Sequence, residues 1–334
     1  MRFVFHKMMF AAALLLSVML LGQTSFAAED FPKGPIKLMY GYTSGGTAYI
    51  SAQSLATAAE PFLGQTIILE ERPGATATIC AAAVARDKKK DGYTLGVIKS
   101  TTVVNAPMQF KLPYNTFDDL EFILAYGSPT AALVVKKDFP ADTWQEFVDM
   151  VKKDPGKIKI ATSGPMSNTT LIMDYIGMKE DLKWNMLGTS GGAEAMKLLI
   201  GGQVDAYAGS GSQALHVDQG TCKVLLDYMK TPTYPDVPTL ADIGYGELQV
   251  GEAPYIVVAP KGIPEDVRKK LVDAFTQAAH SEGFRKAVAK IYLTEYTESG
   301  EALVEALKKE DAVFRKILVD LGRIDEQGNI IKKK

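Results

Sequence analysis

The chain has 334 residues, 47% of them hydrophobic and 23% charged, with a formal net charge of −2. That length supports two domains with full cores, and the near balance of charge argues against nucleic acid or an anionic membrane surface as a partner. Cys80 and Cys222 are too few for a disulfide framework and read as buried thiols, which behave as small hydrophobes.

Residues 1–28 read as an export signal. Arg2 and Lys7 precede the apolar run 8–21, and Ser25, Phe26 and Ala27 offer a cleavage point after Ala27 or Ala28. The run is shorter than the about 20 apolar residues that span a bilayer. A soluble, monomeric periplasmic chain is therefore expected, with a retained N-terminal anchor as the alternative.

After Asp30, short apolar runs alternate with amphipathic segments. Strands are expected at 36–40, 66–70, 94–98, 122–125, 132–135, 158–161, 204–208, 224–226 and 255–259, because brief, nearly continuous apolar runs suit parallel strands covered on both faces. Thr143 and Glu146 have capping-box spacing ahead of Phe147, Met150 and Val151, and Pro155 and Gly156 end that helix. Two later helical patterns, Val267, Leu271, Phe275 and Ala278, then Leu303, Leu307, Phe314, Ile317 and Leu321, keep close to the 3.6 period. Residues 291–296 offer one further strand between them, and 330–334 a frayed tail. The fold class is α/β, with two doubly wound domains. No low-complexity linker separates them, so crossover strands are expected to join them, 132–135 and 255–259 being the candidates. Residues 29–130 and 251–334 then form a discontinuous first domain and 131–250 the second.

The stretch Tyr42, Thr43, Ser44, Gly45, Gly46, Thr47, Ala48, Tyr49 lies between the first strand and a helix pattern. Two glycines let backbone N–H groups approach a ligand, and the helix N-terminus carries partial positive charge, which suits a carboxylate or phosphate. A tight connecting turn would use the same residues. Companion loops follow other strands: Ser100, Thr101 and Thr102; Ser163, Gly164, Pro165, Met166, Ser167, Asn168 and Thr169; Gly188, Thr189, Ser190, Gly191 and Gly192; and Gly209, Ser210, Gly211 and Ser212. Any one hydroxyl can equally cap a helix, but parallel strands would bring all these loops to the carboxyl ends of two sheets, where open α/β folds bind ligands.

Gly188, Thr189, Ser190, Gly191 and Gly192 also match the G-x-S-x-G nucleophile elbow. That chemistry needs a histidine base, and beyond residue 28 only His216 and His280 are available, with Asp227, Asp236 or Asp242 as the acid. His280 follows Ser190 in the required order but falls inside a helix pattern. An exported serine hydrolase using Ser190 is the alternative reading. The chain has no H-E-x-x-H, no C-x-x-C, no P-loop and no complete G-x-G-x-x-G, so no cofactor, metal or catalytic residue is expected. Binding without covalent chemistry is the leading expectation.

Seven features occur in order between residues 35 and 321. They are the Gly-Gly turn after the first strand; Glu71, Arg72, Pro73, Gly74 and Ala75; Asp91, Gly92, Tyr93, Thr94 and Leu95; Pro155, Gly156 and Lys157; Gly201, Gly202, Gln203, Val204 and Asp205; Pro235, Asp236, Val237, Pro238 and Thr239; and Ala259, Pro260, Lys261, Gly262, Ile263 and Pro264. In these the sequence resembles the substrate-binding proteins of tripartite tricarboxylate transporters, the Bug family. The resemblance implies a flytrap of two α/β domains closing on a small organic acid, a di- or tricarboxylate or an aromatic carboxylate. It also implies delivery to a membrane permease of one large and one small subunit; presentation of the ligand to a membrane sensor would use the same closed form. The family's ligand loops correspond to 42–49, 163–169 and 187–192, where backbone amides and ordered waters hold carboxylates, and Asp205 joins the expected ligand-binding set. The chain departs from the family pattern at Tyr49, often Asp, at Gln53, often Arg, and at Gly188, Thr189 and Ser190, usually Pro-Tyr-Lys. Neutral groups thus replace charged ones, and a citrate-like or amino-acid ligand is not implied. Tyr49 either offers its hydroxyl or ring to the ligand or forms wall without touching it.

Overall fold

A computed structural model describes residues 31–249 and 253–331; the expected export signal and the last three lysines lie outside the described residues. Eleven strands are described: β1 (Ile36–Tyr40), β2 (Ile67–Glu71), β3 (Thr94–Lys99), β4 (Leu120–Pro129), β5 (Ala131–Lys136), β6 (Lys159–Thr162), β7 (Asn185–Gly188), β8 (Ala206–Ser210), β9 (Cys222–Asp227), β10 (Tyr255–Pro260) and β11 (Leu293–Glu298). They form two sheets, β11-β4-β10-β3-β1-β2 and β7-β6-β8-β5-β9. The longer helices are α1 (Thr47–Leu63), α2 (Thr78–Ala85), α3 (Trp144–Lys153), α4 (Asn168–Lys179), α5 (Gly192–Ile200), α6 (Glu265–His280), α7 (Glu282–Ala289) and α8 (Gly300–Asp320).

Pairing is parallel for β1 with β2 and β3 and for β6 with β8, as expected, and also for β6 with β7, a strand the apolar pattern does not signal. It is antiparallel for β10 with β3 and β4, for β11 with β4, and for β5 with β8 and β9. Apolar runs cannot distinguish these cases, because β5 and β10, inserted between strands of opposite direction, are as fully buried as a parallel strand. The change of sheet falls just ahead of the expected crossover strand: β4 ends at Pro129, and after Thr130 the chain continues in the second sheet as β5. Thr130 is 1% exposed, and its carbonyl accepts from Gly211 N at 2.7 Å and Gln213 Nε2 at 2.9 Å. After β9 the chain makes several turns, among them Gly246–Leu248, and is back in the first sheet at β10.

The alternation of β5 shows why its sheet is covered on both sides. Leu133 and Val135 point into a cluster shared with Ile98 and Ile256 of the first sheet and with Leu307 and Phe314 of α8. Ala132 and Val134 point the other way, against Met196 and Leu199 of α5. The capping box forms as its spacing predicts: Thr143 Oγ1 accepts from Glu146 N at 3.2 Å, and Glu146 Oε2 accepts from Thr143 N at 3.1 Å. Trp144, Phe147, Val148 and Val151 of α3 are buried. Cys80 and Cys222 are buried and unbonded to each other. Among the described residues no helix is long and apolar enough to cross a membrane.

Candidate ligand-binding cleft

The loops that follow β1 and β3 meet those that follow β6, β7 and β8, and a cleft opens beside the Pro129–Ala131 crossing. Tyr42, Thr76, Lys99 and Thr101 line one side; Ser163, Ser167, Asn168, Thr169, Ile172 and Ser210 line the other. Tyr228, Met229 and Leu248 of the return segment add apolar wall. A smaller recess adjoins it, lined by Thr43, Gly46, Thr47, Gly191, Ser212 and Tyr255 and sharing Tyr42, Lys99, Ser163 and Ser210.

Lys99, the last residue of β3, is the charge at the centre of this cleft. Its Nζ donates to Ser210 Oγ at 2.9 Å, at the end of β8 in the other sheet. It also lies 5.0 Å from the ring centroid of Tyr255 and 5.8 Å from that of Tyr42, within cation–π range. Part of the side chain still faces the cleft, but the protein around it displaces water, and burial pulls the ammonium down to about 8.

A second polar cluster lies behind Thr101 and Asn168. Asn105 Nδ2 donates to Asn168 Oδ1 at 2.6 Å, and Asn168 Nδ2 donates to Glu310 Oε1 at 3.0 Å. Ser100 Oγ donates to the same carboxylate oxygen at 2.9 Å. Glu310, on α8, is 4% exposed, and burial pushes its carboxyl up to about 7 against the opposing effect of those two donors. This network ties the helical turns at Ser100–Val103 and Asn105–Gln109 to α4, with no water-facing charge.

The turn before α2 is strained. Ala75, Thr76 and Ala77 have φ of 47°, 54° and 65°, three consecutive non-glycine residues in the left-handed region. Thr102 Oγ1 donates to Thr76 O at 2.8 Å and helps hold that turn. Thr76 Oγ1 is buried at the cleft with no hydrogen-bond partner. A Cβ on Gly164 would stand 3.2 Å from Thr76 Oγ1, so the two sides approach closely here.

Of the residues singled out from sequence, Tyr42, Thr43, Gly46, Thr47, Thr101, Ser163, Ser167, Asn168, Thr169 and Gly191 line the cleft or its recess. Gly45 lies on an outer groove with Ile200 and Leu215. Ser44 turns away, its hydroxyl donating to the Glu71 carboxylate and lying 2.8 Å from Tyr40 OH. Tyr49 packs on Tyr40 at 5.5 Å between ring centroids and donates to Gln53 Oε1 at 3.2 Å, and it lines neither the cleft nor its recess. Ser100 sits behind the cleft on Glu310, and Gly164 O accepts from Thr162 Oγ1 and Thr170 Oγ1. Thr189 Oγ1 donates to Thr162 O at 2.8 Å. Ser190 Oγ donates to Glu194 Oε2 at 2.5 Å, while His216 faces Thr221 and His280 lines a separate cavity with Phe284 and Val288. Asp205 falls at the amino end of β8, where its carboxylate accepts from Lys159 N at 2.8 Å, at the opposite end of the sheet from the loops. Lys99, Thr76, Tyr228 and Met229 were not singled out from sequence. The readable signal was a lysine closing the apolar strand immediately before Ser100.

Two sheets flanked by helices and joined by crossing segments, with a cleft at their facing loops, define the two-domain fold of periplasmic binding proteins. The chain belongs to the tripartite tricarboxylate transporter family receptor family, whose model matches residues 51–322. It is 32% identical over 296 residues, 87% of this chain and 89% of the other, to a Cupriavidus necator protein known as the UPF0065 protein in the gbd 5' region. It is 27% identical to Protein BugT of Bordetella pertussis, covering 79% of this chain and 82% of BugT. Among solved structures it is similar to the periplasmic binding protein BugD, with a TM-score of 0.80 and 26% identity over 87% of this chain and 99% of BugD. A structure described as a periplasmic transporter matches with a TM-score of 0.78 and 26% identity over 88% of this chain and 98% of that one.

Proposed function

We propose that the protein is an exported solute-binding receptor that captures a small organic carboxylate in this cleft and delivers it to a tripartite membrane permease of one large and one small subunit. The observation that carries the reading is Lys99, an ammonium in a cleft between two sheets, facing hydroxyls and, among the described residues, no carboxylate. A bound carboxylate would supply the missing counter-charge through charge-assisted hydrogen bonds. In this reading residues 1–28 direct export, and residues 29–130 with 251–334 close against 131–250 about the crossing segments. Thr43, Gly46 and Gly191 approach one another across the recess and provide short side chains and backbone donors for closure. Binding proceeds without chemistry, in keeping with Ser190 being engaged by Glu194 rather than by a histidine.

Melting curves of the purified protein against organic acids test the binding. A ligand that binds only the folded state raises the midpoint, by about 3 kcal/mol of stability at a hundredfold excess over Kd. No shift with any organic acid would contradict the reading. Delivery is tested separately by uptake of the identified acid in a strain lacking this protein, which should fall.

A further inference from the structure

The cleft combines one deep cation with walls that are largely apolar. Lys99 Nζ has three donor positions, of which Ser210 Oγ takes one at 2.9 Å. Among the described residues no carboxylate pairs with it, and burial alone accounts for its lowered affinity for protons. Thr76 Oγ1, lining the same cleft, is also buried without a partner. A largely desolvated ammonium with no counter-charge among the described residues, and a buried hydroxyl without a partner, are both costly to a folded chain, and one bound carboxylate in the cleft would offset both. The hydroxyls and amides that also line the cleft are engaged within the protein, Ser163 with Tyr207, Ser167 with Thr170, Thr169 with Ala208 O, Asn168 with Glu310 and Gln249 with Met229 O, and the rest of the wall, Pro129, Ile172, Tyr228, Met229 and Leu248, is largely apolar. Lys230 also lines the cleft, but it is exposed at the mouth, where water already solvates its charge.

We propose that Lys99 sets the specificity of the cleft, pairing with one carboxylate of a ligand whose remaining body is apolar, an aliphatic or aryl acid rather than a hydroxylated di- or tricarboxylate. This rests on the reading of the cleft as a carboxylate site and narrows it. A malate or citrate would have to place hydroxyls and further carboxylates against Ile172, Met229 and Leu248 or compete with hydrogen bonds that Ser163, Ser167 and Thr169 already make, losing hydration for little gain in partners. Hexanoate and phenylacetate would leave only apolar atoms there.

Calorimetric titration of the exported protein with hexanoate, phenylacetate, phenylacetamide, malate and citrate tests this. The two apolar acids should bind, with malate and citrate weaker by roughly tenfold or more, as expected for buried polar groups left unpaired. Lys99→Met removes an unpaired buried charge and should fold at least as stably as the parent. It should lose roughly 10- to 100-fold of phenylacetate affinity, the worth of a charge-assisted hydrogen bond, without losing affinity for the neutral amide. Lys99→Arg should retain more acid binding than Lys99→Met. Malate or citrate binding as tightly as phenylacetate, or a folded Lys99→Met that binds phenylacetate like the parent, would overturn the proposal while leaving the carboxylate-receptor reading intact. If the parent binds none of these acids or any other, that reading fails as well.

Discussion

Two ionisable side chains decide how this protein should respond to pH, and they do so in different windows. The Lys99 ammonium is held down to about 8 by burial, so above that pH the empty cleft loses its charge. A bound carboxylate would restore it by favouring the protonated form. Carboxylate affinity is therefore expected to be flat below about pH 8 and to fall by up to about tenfold per pH unit above it, with proton uptake on binding; titrations from pH 6 to 10 in two buffers of different ionisation heat measure both, and pH-independent affinity would contradict the assignment. Glu310 acts the other way round, on stability. Its carboxyl is raised from the ordinary 4.5 to about 7, so between those values the folded chain holds a proton that the unfolded chain has lost. The stability it lends is present in full below about 4.5 and is lost as pH rises through about 7. The loss is about 3 kcal/mol at 1.4 kcal/mol per unit. Ser100 and Asn168 donate to it, and Asp311 is the charged neighbour that adds to the upward push. Glu310→Gln keeps both acceptor contacts and should melt higher than the parent at pH 8, with little difference at pH 4.5. Equal midpoints at both pH values would show that the carboxyl does not titrate in the fold.

At the scale of elements, α1 meets the loop after β8 beside the cleft. Gly211 has φ of 83°, and a Cβ there would stand 2.7 Å from Thr47 Oγ1 on α1. Gly211→Ala should therefore cost about 1 kcal/mol or more in stability and weaken ligand binding. Adding Thr47→Ala should restore part of the binding loss if contact across the cleft is the cause, whereas backbone strain alone would not be rescued. The elements themselves were largely legible: the runs at 36–40, 94–98 and 255–259 fall within β1, β3 and β10, because continuous apolar stretches need cover on both faces. Strand direction was not legible, since β5 and β10 are buried on both faces yet antiparallel to neighbours. Residues 126–129, which complete β4, were missed for a related reason. Tyr126, Gly127, Ser128 and Pro129 lack an apolar pattern, and their strand conformation is maintained by pairing with β10 and β11.

At the scale of the whole molecule, the cleft was legible as a set of glycine, serine and threonine loops, because parallel strands carry their ligand loops to one end of a sheet. Its charge was not. A lysine at a strand end ordinarily extends its head to water, and only the assembled fold places Ser210 of β8, Tyr42 after β1 and Tyr255 of β10 around Lys99. The same limit misplaced Ser44 and Tyr49, which lie in the right segment but turn toward Glu71, Tyr40 and Gln53, and Asp205, which lies on the right strand at the wrong end. The account rests on one arrangement, a ligand carboxylate held between the two sheets against Lys99 and Ser210. A crystal structure of the protein with phenylacetate tests it most directly. The account predicts the carboxylate about 3 Å from Lys99 Nζ, at charge-assisted hydrogen-bond distance, with the ring toward Ile172 and Met229. A phenylacetate bound outside the cleft, or inside it with its carboxylate turned away from Lys99, would contradict it.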